Sequence, residues 1–308
     1  MSDLTILMAT YNGEKFLKEQ LNSFSRQTYQ DWELWVSDDG STDRTQDILR
    51  TFSRESSHSV VVLSGPKSGF VANFLSLSCN CNSASRFFAF SDQDDIWNND
   101  KLEKAVQFLE SVPDNVPALY CSRTEIVDQF ALPTNPATYS PLMKLSPSFS
   151  NALVQSIAGG NTMVVNRAAK KLLEDFGGVI EVPSHDWWMY LIITGVGGKV
   201  FYDSRPSLLY RQHGKNVVGS NRSLIGLFSR FFKFLDGQFQ AFNDKNVYYL
   251  CKNIAKLTPE NQSRLLLFKK AKEEKGFAGL ISLLKSGAKR NGFLFDLALK
   301  IGAVIGRI

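Results

Sequence analysis

Short apolar runs alternate with stretches of helical periodicity over the first 110 residues of the chain. The runs have the length and composition of buried strands and lie at Leu4–Ala9, Glu33–Ser37, Val60–Leu63 and Phe87–Phe90. A predicted helix follows each run. The apolar positions of the first, second and fourth helices are Leu17, Leu21 and Phe24; Ile48, Leu49 and Phe52; and Leu102, Ala105, Val106 and Leu109, while the third helix lies within residues 69–78. This alternation predicts an α/β fold, with a mostly parallel, Rossmann-like sheet and helices on both faces.

Polar clusters follow three of these strands, at Thr10–Glu14, Asp38–Asp43 and Ser91–Asp95. Ligands of open α/β sheets bind outside the carboxyl ends of the strands, so the three clusters are expected to meet in one crevice. The first helix is expected from Glu14, and Ser41 or Thr42 is expected to cap the second helix.

The third cluster holds three carboxylates within four residues. Asp92 and Asp94 are two positions apart, so in an extended backbone they project to the same side, where a cation would relieve their repulsion. A few oxygen ligands suit Mg²⁺ or Mn²⁺. The alternative is an acidic turn that caps the next helix, in a region that also holds the good capping residues Asn98, Asn99 and Asp100. The expected convergence of the clusters favours the metal site.

The middle of the chain is less regular. Strands are predicted at Ala118–Ser122, Thr162–Asn166, Lys199–Asp203 and Leu208–Arg211, with a Pro- and Ser-rich excursion at Pro133–Pro147. A helix is predicted to begin at Ser184, with His185 and Asp186 near its start.

Composition fits a globular protein of one large domain or two smaller ones, with 308 residues, 44% hydrophobic and 21% charged. The four cysteines form no CxxC pair, which favours a reduced, cytoplasmic protein. Neither a signal peptide nor a membrane-spanning segment is expected. Residues 1–221 hold 19 Lys+Arg and 24 Asp+Glu, whereas residues 222–308 hold 16 and 6. The basic C-terminal region is therefore expected to meet an anionic surface, and no nucleic acid is expected as a partner.

These residue types match the needs of a nucleotide diphosphate. Asp39 is placed to accept the N3–H of a pyrimidine, Asp92 to bind ribose hydroxyls and Asp94 to hold the metal. His213, in a Gln-His-Gly-Lys-Asn loop, is a candidate additional metal ligand, although a lone histidine more often has a structural role.

Asp186 is the candidate general base, since sugar transfer to a hydroxyl needs a carboxylate near the acceptor O–H. The alternative, about equal on local grounds, is that Asp186 caps its helix. Trp187 and Trp188 are candidates for stacking on a sugar, with one of the two expected in the core.

The order of five motifs resembles family 2 glycosyltransferases, in particular the bacterial rhamnosyltransferase branch. The motifs are TYNGEKFL at 10–17, SDDGSTD at 37–43, FSDQDDIW at 90–97, HDWW at 185–188 and YRQHGKNVVG at 210–219. The resemblance implies a GT-A fold, a nucleotide diphosphate sugar donor, Mg²⁺ or Mn²⁺, and inversion at the anomeric carbon by direct displacement.

The resemblance also implies roles for single residues. Ala9, Tyr11 and Asp39 match positions that meet the nucleotide base, Asp92 and Asp94 match the DxD pair, and Asp186 matches the catalytic base. His185 departs from the family, which often has an acidic residue there. The remaining substrate-binding residues predicted within the motifs are Thr10, Asn12, Glu14, Gln93, Trp187 and Arg211. A Gln-x-x-Arg-Trp motif is missing from the sequence, which favours addition of a single sugar over processive synthesis.

The predicted domains are a catalytic domain at 1–221, with a donor half at about 1–115 and an acceptor half at about 116–221, and a basic helical region at 222–308. Within that region, helical spacing relates Leu224, Phe228, Phe231 and Leu235, and also Leu294, Leu297, Ala298, Ile301 and Ile305. Such amphipathic helices suit an anionic membrane surface; packing on the catalytic domain or another subunit is nearly as well supported.

The expected activity is transfer of a deoxyhexose, with dTDP-L-rhamnose the favoured donor, to a lipid-linked or lipopolysaccharide glycan at the cytoplasmic face of the inner membrane. Three alternatives remain open: a UDP-hexose donor, a nucleotidyltransferase, and a non-catalytic nucleotide-sugar or membrane-binding module. The sequence lacks a Gly-rich phosphate loop with Lys or Arg near its N-terminus, which counts against a nucleotidyltransferase.

Overall fold

The computed structural model describes residues 2–134, 145–213 and 238–308. These residues form two compact units that are interleaved along the chain. The first unit contains 2–134, 158–180 and 198–213, and the second contains 145–157, 181–197 and 238–308. The predicted domain boundary between residues 221 and 222 lies outside the described residues and stays a prediction.

An eight-stranded sheet forms the centre of the first unit, in the order β3-β2-β1-β4-β7-β6-β8-β5. Its strands are β1 (Leu4–Thr10), β2 (Trp32–Asp38), β3 (Val60–Ser64), β4 (Phe87–Ser91), β5 (Ile96–Trp97), β6 (Ala118–Val127), β7 (Val164–Asn166) and β8 (Lys199–Arg211). Its helices are α1 (Leu17–Ser25), α2 (Thr45–Glu55), α3 (Phe70–Asn80), α4 (Lys101–Glu110) and α6 (Arg167–Asp175), whereas α5 (Phe149–Ala152) belongs to the second unit.

The first four strands of the sheet are parallel, as the alternating pattern predicted. The α/β fold is thereby confirmed. β7 is antiparallel to β4 and β6, while β6 and β8 are parallel, so the sheet as a whole is mixed. The two strands predicted at Lys199–Asp203 and Leu208–Arg211 are one strand, because β8 pairs with β6 along its length through two irregular steps near Arg123.

Burial explains why the central strands are mostly apolar. Every residue of β1 and β4 is buried, which is typical of parallel strands with helices on both faces. The four apolar residues predicted to anchor α4 are all buried in the core, namely Leu102, Ala105, Val106 and Leu109. α1 begins at Leu17 rather than at Glu14, because the residues from Gly13 to Phe16 form a turn closed by the bond from the Phe16 N–H to the Gly13 carbonyl.

The second unit is helical. It contains α5 (Phe149–Ala152), α7 (His185–Gly195), α8 (Gln238–Lys252), α9 (Pro259–Glu273), α10 (Gly276–Ser286) and α11 (Phe293–Ile305). Nearly all of α7 is buried. The Asn261 amide donates to the carbonyls of Thr194 and Gly195 at the end of α7, which satisfies groups that a helix terminus leaves unpaired.

Besides the domain boundary, three sequence predictions fall partly or wholly outside the described residues. These are residues 214–219 of the YRQHGKNVVG motif, the helical spacing from Leu224 to Leu235, and residues 135–144 of the Pro-rich excursion. In the part of the chain that the structure describes, every helix is too short or too polar to cross a bilayer.

Candidate active site

The first two polar clusters interlock at the carboxyl ends of β1 and β2. The Asn12 side-chain oxygen accepts the Thr42 N–H at 2.8 Å, and the Glu14 carboxylate accepts the Arg44 N–H at 3.1 Å. In return, the Glu14 N–H donates to the Asp43 carboxylate at 3.1 Å. Asn12 and Glu14, which the sequence predicts to bind substrate, therefore hold the two loops together.

The helix cap beside this junction differs from the prediction. Neither Ser41 nor Thr42 caps α2. Instead, Oδ1 of Asp43 accepts the Thr45 N–H at 2.9 Å and the Thr45 hydroxyl at 2.6 Å. Arg44 occupies the capping position of α2 without a side-chain cap bond, and Asp43 stabilises the helix start from one residue earlier.

Asp38 lies beneath the same loops and organises them. Its carboxylate accepts the Thr10 hydroxyl at 3.0 Å, the Gln46 amide at 2.6 Å and the Ser41 N–H at 3.1 Å. Thr10 is buried and directed at Asp38, so its side chain serves the scaffold rather than the substrate contact predicted for it. No individual role was predicted for Asp38 from the sequence, although the SDDGSTD motif contains it.

Gln93 joins the third cluster to the first. Its amide oxygen accepts the Tyr11 N–H, and its amide nitrogen donates to the Tyr11 carbonyl, both at 2.9 Å. Both ends of the Gln93 amide therefore bind the backbone and position Tyr11, while the contact of Gln93 with substrate stays a prediction. The Tyr11 side chain, held from its backbone, is 57% exposed and presents its ring for contact.

Asp39 shapes the loop between β3 and α3. Its two carboxylate oxygens accept the Lys67 N–H at 2.6 Å and the Gly69 N–H at 2.9 Å. At Gly65 a Cβ atom would come within 2.8 Å of the Asp39 carboxylate, so a larger residue there would displace it. Contact with a nucleotide base would use the remaining lone pairs of Asp39, and it stays a prediction.

Asp94 meets His213 at the ends of β4 and β8. Nε2 of His213 lies 2.9 Å from Oδ2 of Asp94, and both side chains are partly exposed. The ring of Phe16 stacks on His213 with 4.9 Å between ring centroids. The two residues that the sequence predicts as metal ligands therefore lie together.

Arg211 supports this pair from beneath. Its guanidinium donates to the Asp94 carbonyl at 3.1 Å, to the Gln129 carbonyl at 2.7 Å and to the Glu19 carboxylate at 2.5 Å. The Arg211 side chain is 1% exposed. This burial does not fit the substrate contact predicted from the sequence and gives Arg211 a positioning role instead.

Asp95 and Lys101 form a buried polar layer under the acidic turn. Asp95 accepts the Asn161 amide at 2.6 Å and the Arg211 N–H at 3.2 Å. Burial, with the nearby charge of Asp94, raises the pKa of Asp95 to about 7. Lys101 donates to the Asn161 carbonyl at 2.5 Å and lies 3.4 Å from the Trp97 ring centroid; burial holds its pKa well below the usual value.

The alternative role for the acidic turn, as a helix cap, does not hold. α4 begins at Lys101 with Asp100 in the capping position, five residues beyond the end of the turn at Asp95. The Lys101 N–H bonds the carbonyl of Asn98 and the Leu102 N–H bonds the side-chain oxygen of Gln27, so neither uses a carboxylate of the turn. Two of the three carboxylates of the turn have other partners: Asp94 contacts His213, and Asp95 accepts from Asn161 and Arg211.

Asp186 is the second residue of α7 in the helical unit. The cap of α7 is Ser184, whose hydroxyl accepts the Trp187 N–H at 3.4 Å and donates to Oδ1 of Asp186 at 2.5 Å. Oδ1 of Asp186 also accepts the Trp187 N–H at 2.6 Å. Burial lowers the pKa of His185, against the opposing charge of Asp186. The helix start therefore has a cap other than Asp186.

Both tryptophans of the HDWW motif are buried. Trp188 is the core residue of the pair, and Trp187 is 9% exposed, with its indole N–H donated to the Ala152 carbonyl at 2.6 Å. The Trp187 ring stacks near Phe239 at 6.3 Å. Little of the Trp187 ring surface remains for the sugar contact that the sequence predicts.

Comparison with known proteins decides what this arrangement belongs to. The family model described as glycosyl transferase family 2 matches residues 5–170, more than half of the chain and all three polar clusters. The chain belongs to glycosyl transferase family 2. The resemblance drawn from the five motifs is confirmed, and the protein is a glycosyltransferase.

Two relatives illustrate the range of the family. The dTDP-rhamnosyl transferase RfbG of Shigella flexneri is 29% identical over 237 residues, which cover 72% of this chain and 77% of that protein. The UDP-Glc:alpha-D-GlcNAc-diphosphoundecaprenol beta-1,3-glucosyltransferase WfgD of Escherichia coli is 32% identical over 146 residues, 46% of this chain and 55% of that protein.

Solved structures share the fold of this transferase. The mannosyltransferase PcManGT of Pyrobaculum calidifontis, in complex with GDP-Man and Mn²⁺, superposes with a TM-score of 0.56 at 18% identity, covering 100% of this chain and 76% of that one. S. aureus TarS 1–349 in complex with UDP-GlcNAc gives 0.54 at 16% identity, covering 91% and 81%. The GT-A type of fold is thus confirmed.

The transferase fits the divalent metal that its family implies. Asp94 and His213 would be the residues to hold it, since their side-chain oxygen and nitrogen lie 2.9 Å apart. Among the described residues no group of three or more His, Cys, Asp or Glu side chains could hold a metal ion. A site with two protein ligands leaves the other coordination positions to water and substrate phosphates, which is how Mg²⁺ and Mn²⁺ are commonly bound with nucleotides.

Proposed function

We propose that this family 2 glycosyltransferase moves a single sugar, with inversion, from a nucleotide diphosphate donor to a hydroxyl of a lipid-linked or lipopolysaccharide glycan. We propose L-rhamnose from dTDP-L-rhamnose as the sugar and donor. One observation carries the donor site: Asp94 and His213 lie 2.9 Å apart at the edge of the sheet where the loops of Tyr11 and Asp39 also emerge. The similarity to RfbG supports the choice of donor.

Different residues of the first unit bind different parts of the donor. Asp39, with Ala9 and the exposed ring of Tyr11, contacts the base, and Asp92 takes the ribose hydroxyls. Asp94 and His213 hold Mg²⁺ or Mn²⁺, which when bound would offset the negative charge of the departing diphosphate. Arg211 and Gln93 keep these groups in place through the backbone of Asp94 and Tyr11.

Asp186 acts as the general base. Its carboxylate takes the proton of the acceptor hydroxyl as that oxygen bonds to the anomeric carbon, while the bond from this carbon to the nucleotide diphosphate breaks. Attack from the face opposite the leaving group inverts the anomeric centre. In this proposal residues 1–115 form the donor half of the catalytic domain, residues 116–221 form the acceptor half, and the helical region from 222 associates with a membrane from the cytoplasmic side.

A panel of dTDP-rhamnose, UDP-glucose and GDP-mannose, each with Mn²⁺ and an undecaprenyl-diphosphate glycan acceptor, tests the function. We expect release of dTDP with rhamnose transferred to the glycan. Transfer from UDP-glucose alone would establish the second candidate, a UDP-hexose donor, which the similarity to WfgD favours. Donor binding without transfer of a sugar from any donor of the panel would instead indicate a non-catalytic binding module.

A further inference from the structure

Three buried polar residues lie in a row beneath the acidic turn. They are Lys101, Asn161 and Asp95, which are 0%, 6% and 0% exposed. The Lys101 ammonium donates to the Asn161 carbonyl at 2.5 Å, and the Asn161 side-chain amide donates to Oδ2 of Asp95 at 2.6 Å. A continuous chain of hydrogen bonds therefore runs from the start of α4 to the end of the acidic turn.

Lys101 is an unusual residue for a protein interior, because a lysine is almost never fully buried unless it is paired. Its ammonium group contacts the uncharged Asn161 carbonyl and lies 3.4 Å from the centroid of the Trp97 ring. Burial lowers the pKa of Lys101, and the charges of Asp95 and Asp92 act in the opposite direction. Apolar residues of similar volume often stabilise a core as well as buried charges do, so this lysine indicates a requirement for position.

Asp95 connects the buried row to the candidate metal ligands. Its Oδ1 accepts the Arg211 N–H at 3.2 Å, while its Oδ2 is held by Asn161. The Arg211 guanidinium donates in turn to the Asp94 carbonyl at 3.1 Å. Asp95 follows Asp94 directly, and Arg211 lies two residues before His213. A displacement of Asp95 would therefore reach the backbone on both sides of the contact between the two ligands.

Asn161 holds Asp95 from a turn that has its own support. Asn161 is the middle residue of a 3₁₀ helix at Gly160–Thr162. The N–H and the hydroxyl of Thr162 both bond the Gly159 carbonyl, at 2.9 and 2.8 Å. The turn leads into β7, which pairs with β4 in the centre of the sheet. This anchoring gives the Asn161 amide a fixed origin.

We propose that Asn161 and Lys101 are positioning residues of the donor site. Lys101 fixes the carbonyl of Asn161, whose amide in turn fixes Asp95. Asp95 then sets the position of Asp94 and of the end of β8, so that both ligands reach one cation. The inference rests on the proposed function, because it takes Asp94 and His213 as the residues that hold the metal.

Hydrogen exchange of the full chain without metal tests this positioning. In Asn161→Ala and in Lys101→Met, amide hydrogens of the peptides 91–97 and 208–213 are expected to exchange about fivefold faster, because Asp95 is held less firmly. Exchange is measured relative to peptides from β1, which separates local opening from a general loss of stability.

The chain offers a matched control for each variant in the same unit. Asn166 is buried and accepts the N–H groups of Ala118 and Ala169, and Lys170 is buried with its ammonium 5.3 Å from the centroid of the Phe88 ring. Asn166→Ala and Lys170→Met are expected to shift thermal unfolding but to leave the relative exchange of the two peptides unchanged.

Mn²⁺ binding in the presence of dTDP, followed by electron paramagnetic resonance, gives a second readout. Asn161→Ala is expected to weaken Mn²⁺ affinity about fivefold. Asn161→Asp is expected to weaken it more, because a second carboxylate would then face Asp95 at hydrogen-bond distance. A side chain that only filled space would give the opposite order, since aspartate matches the volume of asparagine and alanine does not.

A double variant tests the route through Asp95. In the Asp95→Ala background, Asn161→Ala is expected to change Mn²⁺ affinity less than about twofold, because residues that act through one another are not additive. An equal effect of Asn161→Ala with and without Asp95 would overturn the proposal. So would unchanged exchange of both peptides in Asn161→Ala and Lys101→Met. Because exchange is measured without metal or donor, transfer of a sugar other than rhamnose would leave this result unaffected.

Discussion

Nε2 of His213 lies 2.9 Å from Oδ2 of Asp94, although 119 residues separate them in the chain. The contact depends on the backbone, because Arg211 ends β8 two residues before His213 and binds the Asp94 carbonyl through its guanidinium. The same arginine is fixed through its N–H by Asp95. The two candidate metal ligands are therefore positioned by one buried side chain and one buried carboxylate.

Asp94→Asn is expected to reduce sugar transfer by at least about 10²-fold, because an amide binds a divalent cation less well than a carboxylate. The measurements are the transfer rate against Mn²⁺ concentration and Mn²⁺ binding followed by electron paramagnetic resonance. Asp47→Asn, at an exposed position on α2, serves as the control. Full transfer activity in excess chelator would contradict the prediction.

Arg211→Lys separates a positioning role from a substrate contact. A lysine keeps the charge but loses the planar fork that reaches three partners, so we expect metal affinity to fall about 10- to 100-fold. Arg205→Lys, whose side chain is 68% exposed, is the matched control. Unchanged Mn²⁺ affinity together with a raised KM for the donor would show that Arg211 contacts substrate, as the sequence predicts.

Gln93→Leu removes both hydrogen bonds to the backbone of Tyr11. We expect the affinity for a nucleotide diphosphate to fall about fivefold or more. The two bonds hold the Tyr11 ring in place, and each contributes roughly 1 kcal/mol of stabilisation. Calorimetric titration measures the change, and Gln107→Leu on the exposed surface of α4 is the control. Equal affinity of the two variants would mean that Tyr11 holds its position without Gln93, or does not contact the nucleotide.

Asp186→Asn tests the general base. Because Ser184 caps α7, the Asn variant is expected to fold and bind donor, while transfer falls on the order of 10²–10⁴-fold. Thr258→Ala is the contrasting control: it removes the cap of α9 and is expected to cost about 1 kcal/mol of stability without slowing transfer per folded molecule. Normal turnover of the Asp186 variant would mean that another residue acts as the general base.

The buried His185 predicts a pH-dependent stability. Its pKa in the folded chain is lowered by burial, so below pH 6.5, its ordinary pKa, the unfolded chain takes up a proton that the folded chain does not. Stability is therefore expected to decrease as pH falls below about 6.5, by up to about 1.4 kcal/mol per pH unit until the folded pKa is reached. Urea unfolding at pH 7.5, 6.5 and 5.5 measures this slope. His185→Gln should show a shallower slope, and parallel profiles would contradict the prediction.

The sequence pattern was sufficient to predict the parallel half of the sheet and the meeting of the three polar clusters. A parallel strand buried on both faces must be apolar throughout, and its carboxyl end must lie at the same edge as those of its neighbours. The positions of Tyr11, Asp39 and Asp94 at that edge follow from this rule. The family likewise follows from the order of the five motifs, and the match at residues 5–170, which contains three of them, confirms the family.

Tertiary structure decided which polar side chains face a ligand and which hold the scaffold. Spacing along a strand determines the face on which a side chain lies but not the partner that it meets, because partners such as Gln93 and Tyr11 are 82 residues apart. Arg211 and Thr10 therefore read as substrate ligands from their motifs, although both are buried. For the same reason the joining of 145–157 and 181–197 to the C-terminal helices could not be predicted, since it depends on long-range packing that leaves no local period in the sequence.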